Sequence, residues 1–129
     1  MSEHPNAVFV KAIWKAVAEA DAEVLQNLFT KDLVWHASGR GRWHGTYTGR
    51  DKVLELLANV GELAEELRSE LKDIFVNDER AVLLYRLYAT RGKDTLATDM
   101  ILIVEIRDGQ ATEIWSIAAD QHAYDEFWQ

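Results

Sequence analysis

Cysteine is absent from this 129-residue chain. Without a thiol, no disulfide can staple the fold and no thiolate can hold a metal. Basic residues are in deficit: 14 Lys and Arg against 22 Asp and Glu leave a formal net charge of −8. That sign argues against nucleic acid and against anionic membrane surfaces as partners. No apolar run is long enough to span a bilayer. The opening stretch, "MSEHPNAVFVKAIWKAV", lacks the basic region and the unbroken apolar segment of an export signal, because Lys11 and Lys15 interrupt it at helical spacing. The expectation is a soluble, cytoplasmic protein.

The chain is rich in apolar side chains, at 48%, and its five tryptophans exclude a disordered polymer. Its length argues for one domain, 1–129, around one core. Val8, Ala12, Ile13, Ala16 and Val17 recur with helical period, with Trp14 beside them. Asp21 reads as the N-cap of a second helix, "AEVLQNLF", which "TKD" closes before the strand "LVWHA". The glycines of "SGRGRWHG" mark an irregular connection, "GTYTG" a second short strand, and "DKVLELLANVGELAEEL" a third helix with Gly61 as a break or an end.

The second half changes period. "ELKDIFV", "RAVLLYRLYATR", "TLATDMILIVEIR" and "ATEIWSIAA" are strand-like and separated by the turns "VNDE", "RGKD" and "RDGQ"; Asp120 then caps a last helix, "QHAYDEFW". Helices followed by an antiparallel meander make an α+β domain. Within "VLLY" and "MILIV" apolar residues are consecutive, so both sheet faces call for cover. Helices can cover one face. The other is expected to meet a second copy in a homodimer, unless strong curvature simply makes one wall thick core.

With that element order, "LFTKDLVWHASG", "GTYTGRDKVLELL", "VEIRDGQATEIW" and "AADQHAYDEFW" make the chain resemble the nuclear transport factor two-like superfamily, and within it the SnoaL-like proteins. The resemblance implies a cone: a highly curved, mostly antiparallel sheet wrapped around three to four helices, with an apolar internal pocket and frequent dimers through the sheet. Relatives of this type include ketosteroid isomerases, polyketide cyclases and limonene epoxide hydrolases, besides proteins without a catalytic role.

Carried over residue by residue, the resemblance puts His36 of "VWHA" where the isomerases keep their base. An imidazole there is chemically sensible near neutral pH. It puts Ile13 and Leu102 where the isomerases hold their oxyanion, and neither side chain can donate a hydrogen bond. Ile117 stands where the epoxide hydrolases need an aspartate, and "WSIA" offers no acid to a cyclase. Each known constellation lacks a group.

Alternation places Val34 and His36 on one face and Trp35 on the other; with Val34 inward, His36 reaches the cavity mouth. The resemblance likewise turns Trp115 and Ile117 inward. Trp14, Trp43, His44, Tyr47, Tyr85, Leu102, Trp115 and Ile117 are thus the expected substrate-binding residues, with His36 as the candidate catalytic base. Tyr85 and Tyr88 have opposite parity, so only one can face the cavity. Asp99 falls on the face opposite Leu102. Arg40 and Arg42 are either rim groups for an anion or solvated loop arginines. The two histidines match no metal-ligand spacing, so no metal site is expected.

Two functions remain open. One is a cofactor-independent isomerase, cyclase or hydrolase acting on a small apolar molecule, with His36 as base. The other is a binding or accessory protein that holds such a molecule unchanged, and the missing acid partner favours it.

Overall fold

In the computed structural model, which describes residues 3–129, the element order matches the sequence reading. Met1 and Ser2 of the expected domain lie outside the described residues. Helix α1 spans Pro5–Ala18; proline at its start needs no N–H, and the His4 ring nitrogen accepts from Asn6 N–H at 3.0 Å. Its buried stripe is Ala7, Val10, Ile13 and Ala16, turned about one residue from the expected one, so Val8 is 55% exposed. Helix α2, Ala22–Leu28, starts where the Asp21 carboxylate accepts from Val24 N–H at 3.2 Å.

Strand β1 runs Phe29–Ala37, earlier than expected: "TKD" belongs to the strand, not to a helix end. Phe29 is fully buried and pairs with Ala111, and the Thr30 hydroxyl donates to Ala111 O at 3.2 Å, which draws the chain into the sheet at once. Strand β2 is Gly45–Thr48, and helix α3, Arg50–Leu63, carries Gly61 inside it. Strands β3 (Glu66–Val76), β4 (Arg80–Arg91), β5 (Asp94–Arg107) and β6 (Gln110–Ala118) form the meander. Helix α4, Gln121–Phe127, starts where Asp120 accepts from Ala123 N–H at 3.1 Å.

The strands make one sheet in the order β2-β1-β6-β5-β4-β3, with β1 and β6 parallel and every other pair antiparallel. Helix α3 packs on β1 and β2 near one edge, while α1 reaches β3 and β4 near the other, so the sheet curls around its helices. It does not close. The core lies in that concavity, where Val10, Ile13, Leu33, Val53, Leu83, Val104 and Ile114 are fully buried. A second cluster joins Ala89 and Leu96 to Phe127 and Trp128. The expected α+β cone is the observed architecture. No helix among the described residues is long and apolar enough to cross a membrane.

Candidate functional site

The concave side encloses a cavity of about 320 Å³, within the usual range for small-molecule sites. Trp14 and Val17 of α1 and Leu56, Leu57 and Val60 of α3 form its helical wall. The sheet supplies Trp35, Ala37, Tyr85, Met100, Leu102 and Ser116. Leu67, Arg68 and Ser69 of β3 line a further side. Trp43, Tyr124 and Trp128 add to the lining from the 38–44 connection and the C-terminal segment.

Those last two segments are tied together. The Ser38 hydroxyl donates to Gln121 Oε1 at 2.6 Å, Gln121 Nε2 donates to Asp125 Oδ1 at 3.0 Å, and Asp125 Oδ2 accepts from Arg40 N–H at 2.9 Å. Arg42 Nε donates to Trp128 O at 2.8 Å, so this arginine holds backbone and not an anion. Trp43 meets Trp128 edge-on with ring centroids 5.8 Å apart, a favourable aromatic geometry. The Trp-rich connection is one wall of the cavity.

The lining is chemically one-sided. Among the described residues Arg68 is its sole charged one, and its guanidinium stacks on Tyr88 at 4.1 Å while pairing with Glu70 at 3.0 Å. No carboxylate, imidazole or amine of the described residues lines the cavity. The indole N–H groups of Trp14 and Trp43 are buried without an acceptor among the described residues, while that of Trp128 lies beside the Tyr124 hydroxyl. An orphaned buried donor of this kind costs about 1–3 kcal/mol. Burial pushes the Tyr85 hydroxyl far above its ordinary value, and the nearby Tyr124 adds to the shift. Tyr124 itself is pushed up to about 12, by burial first and then by Asp125 and Tyr47. Both therefore stay protonated around neutral pH.

Of the residues singled out from the sequence, Trp14, Trp43, Tyr85 and Leu102 line this cavity. His36, Trp115 and Ile117 do not, and the facing expected for them is reversed. Leu33 and Trp35 are buried in β1, as are Ile114 and Ala118 in β6, so Val34, His36, Trp115 and Ile117 point to the outer face. Burying Trp35 removes more apolar surface from water than burying an imidazole would. On that outer face His36 stacks on Trp115 with centroids 5.1 Å apart. Its Nε2 lies 2.6 Å from Glu113 Oε2 and its Nδ1 3.2 Å from Thr46 Oγ1. His44 is exposed and turns back to Gly41 O at 3.2 Å. Tyr47 packs beside the core, its hydroxyl donating to Trp43 O at 2.7 Å, and stays off the cavity surface. Tyr88 lies under Arg68, and Asp99 pairs with Lys72 and Arg86 at 3.3 Å, so neither faces the cavity.

Tyr124 and Trp128 were not found from sequence, although their spacing of four places them on one side of a helix. Met100 shares the parity of Leu102 and so follows from an inward Leu102, whereas Ser116 was missed because the inward facing expected of Trp115 and Ile117 on either side of it turns it outward.

Comparison with known proteins agrees with this architecture. The model of the SnoaL-like domain matches residues 10–114. The uncharacterized protein Rv0034 of Mycobacterium tuberculosis is 25% identical over 130 residues, covering 99% of each chain. Among solved structures, Bal32a from a soil-derived mobile gene cassette superposes with a TM-score of 0.92 at 26% identity, covering 97% of each chain. TerC, co-crystallized with polyporic acid, gives a TM-score of 0.84 at 23% identity, covering 96% of this chain and 98% of its own. The fold is that of NTF2-like proteins, and the chain belongs to the SnoaL-like domain family.

Proposed function

We propose that this chain binds a small apolar molecule in its internal cavity and does not use His36 as a general base. One observation carries the reading: apart from the Arg68 guanidinium, the cavity wall holds apolar, indole and hydroxyl groups, and among the described residues no carboxylate, imidazole or amine lines it. A general base must come within about 2.6–3.2 Å of the proton it takes, directly or through one water. His36 is on the other side of the sheet, and the two cavity tyrosines remain protonated at neutral pH. That a fold neighbour, TerC, was co-crystallized with the small molecule polyporic acid supports a ligand-binding role for this architecture. Calorimetric titration with a bicyclic hydrocarbon such as tetralin tests it. Wild type should bind, and Leu57→Trp, which fills the cavity from α3, should abolish binding while the circular dichroism spectrum is kept. Undiminished binding by that variant would place the ligand elsewhere.

The outer face supports a second reading, a homodimer through the sheet. Phe75, Val82, Ile103 and Trp115 follow one another across four strands, and Leu84, Ile101 and Ile117 form the adjacent row. Phe75 is 56% exposed, and the others are half-buried in a single chain. A continuous apolar patch of this kind is what association covers. The Arg80–Glu105 pair at 2.7 Å flanks it on one side and the Lys72–Asp99–Arg86 cluster on the other. Sedimentation should give a dimer for wild type and a monomer for Ile103→Asp. A monomeric wild type at micromolar concentration refutes the dimer and leaves the cavity reading standing.

A further inference from the structure

One row of outward side chains crosses every strand of the sheet. It runs Phe75, Val82, Ile103, Trp115, His36 and Thr46, from β3 to β2. The apolar part ends at Trp115, and the imidazole stacked on that indole carries the row onward. His36 brings a titratable pair with it. Its Nε2 lies 2.6 Å from Glu113 Oε2, and the two side chains are 30% and 38% exposed. Thr46 Oγ1, 3.2 Å from Nδ1, can donate to a neutral ring and accept from a protonated one, so either proton state keeps both hydrogen bonds. What changes is charge: the pair is anionic with a neutral ring and balanced with a protonated one. The neighbours on this face of β1 and β2, Val34, Thr46 and Thr48, carry no charge. Helices α2 and α3 meet β1 through its core side, where Leu25, Val53 and Leu56 pack with Leu33 and Trp35. Glu105, beside Glu113 on the β5–β6 ladder, is paired with Arg80 at 2.7 Å, and His44 turns back to Gly41 O.

We infer that a second copy of this chain, docking on the outer face, buries the His36–Glu113 pair and draws a proton onto the imidazole, so that the dimer tightens as pH falls through the histidine range. This rests on the dimer reading above. Size places the pair inside the contact. A stable interface covers about 800 Å² per partner, a disc of about 16 Å radius. Strands lie about 4.8 Å apart, so β1 is only about 10 Å from Ile103 on β5. Trp115 lies between them, and covering it brings the partner against the ring stacked on it. Removal from water penalises the anionic state more than the balanced one, because a buried carboxylate calls for a counter-ion. Association therefore takes up protons, and a two-fold contact meets the pair once from each copy. The sign follows: association is favoured on the acid side of the ordinary histidine range and weakens as pH rises through it.

The test is sedimentation equilibrium of wild type, His36→Gln and Glu113→Gln from about pH 6 to about pH 8, the histidine range. The wild-type dimer dissociation constant should rise about tenfold or more across that window, since each proton taken up is worth up to about tenfold per pH unit. His36→Gln keeps a hydrogen-bonding side chain without the titration. It sets the background from His4, His44, His122 and overall charge, and its rise should be several-fold smaller. Glu113→Gln leaves the imidazolium without its counter-ion, so its dissociation constant should rise less than that background or fall. A pair with a merely structural role would not give that inversion. Circular dichroism over the same range shows whether each variant is folded. A wild-type dissociation constant that does not change with pH, or variant curves parallel to wild type, overturns the proton coupling and leaves the dimer reading intact. A wild-type monomer at every pH overturns both.

Discussion

Gly39 offers a sharp test of how the C-terminal wall of the cavity is held. Its φ is +96°, a conformation that side chains with a Cβ rarely adopt. A Cβ added there would come within 2.5 Å of Asp125 Oδ1 and 2.8 Å of Gln121 Cδ. Those are the ends of flexible side chains and could move, but they carry the bonds from Ser38, Gln121 and Arg40 that dock the connection on α4. Gly39→Ala therefore adds backbone strain of about 1 kcal/mol. It also disturbs three hydrogen bonds with a net worth of about 0.5–1.5 kcal/mol each. Partial relaxation leaves a destabilisation of about 2–4 kcal/mol. For a domain of this length that lowers Tm by about 8–16 °C. Gly61→Ala is the internal control. It lies within α3, and nothing stands within 4 Å of its added Cβ. It should stabilise by about 0.5–1 kcal/mol through helix propensity. Thermal melts of both variants by circular dichroism decide the matter. A Gly39→Ala protein as stable as wild type, or shifts of the same sign in both, would refute the reasoning.

His36→Ala removes a half-buried imidazole from the outer face, where its Glu113 partner is also partly exposed; it should cost at most about 1 kcal/mol and leave tetralin affinity within twofold of wild type. A loss of cavity binding in that variant would contradict the facing of β1 described above. At high pH the tyrosines set the limit. Burial raises Tyr85 and Tyr124 in the folded state, so the stability they contribute is whole below pH 10.0 and is lost as pH rises toward about 12, the folded value of Tyr124. Urea midpoints measured across that window should fall in wild type and fall less steeply in Tyr124→Phe; parallel curves for the two proteins would show that Tyr124 ionises as easily folded as unfolded.

Much of the fold was legible because its signals are local. Asp21 and Asp120 announce two helix starts through the same chemistry, a carboxylate accepting an N–H three residues on. The turns between the meander strands are equally local, and Gly92 and Gly109 take the positive φ such turns demand. The misses are where tertiary pairing overrides local preference. Strand β3 begins at Glu66, ahead of the expected "ELKDIFV", because residues 66–69 pair with the far end of β4 from Leu87 to Thr90. Nothing in the alternation of charged and apolar residues there requires a partner until β4 supplies one.

The site was harder to read, for a reason that one pair of strands makes plain. Alternation says which residues share a face but not which face is inward. In β1 the sets Leu33, Trp35, Ala37 and Val34, His36 both contain apolar residues. In β6 the sets Ile114, Ser116, Ala118 and Trp115, Ile117 do too, and the larger side chains are the outward ones. The two strands are neighbours, with Trp35 beside Ile114 and His36 beside Trp115. Once one strand is turned the wrong way, the other must follow, so the misplacement of His36 and that of Trp115 and Ile117 are a single error of facing. A sheet apolar on both sides gives sequence little to break that tie. What breaks it here is the concave core: the fully buried Leu33 and Ile114 belong to the Trp35 side, and the imidazole is left on the outside.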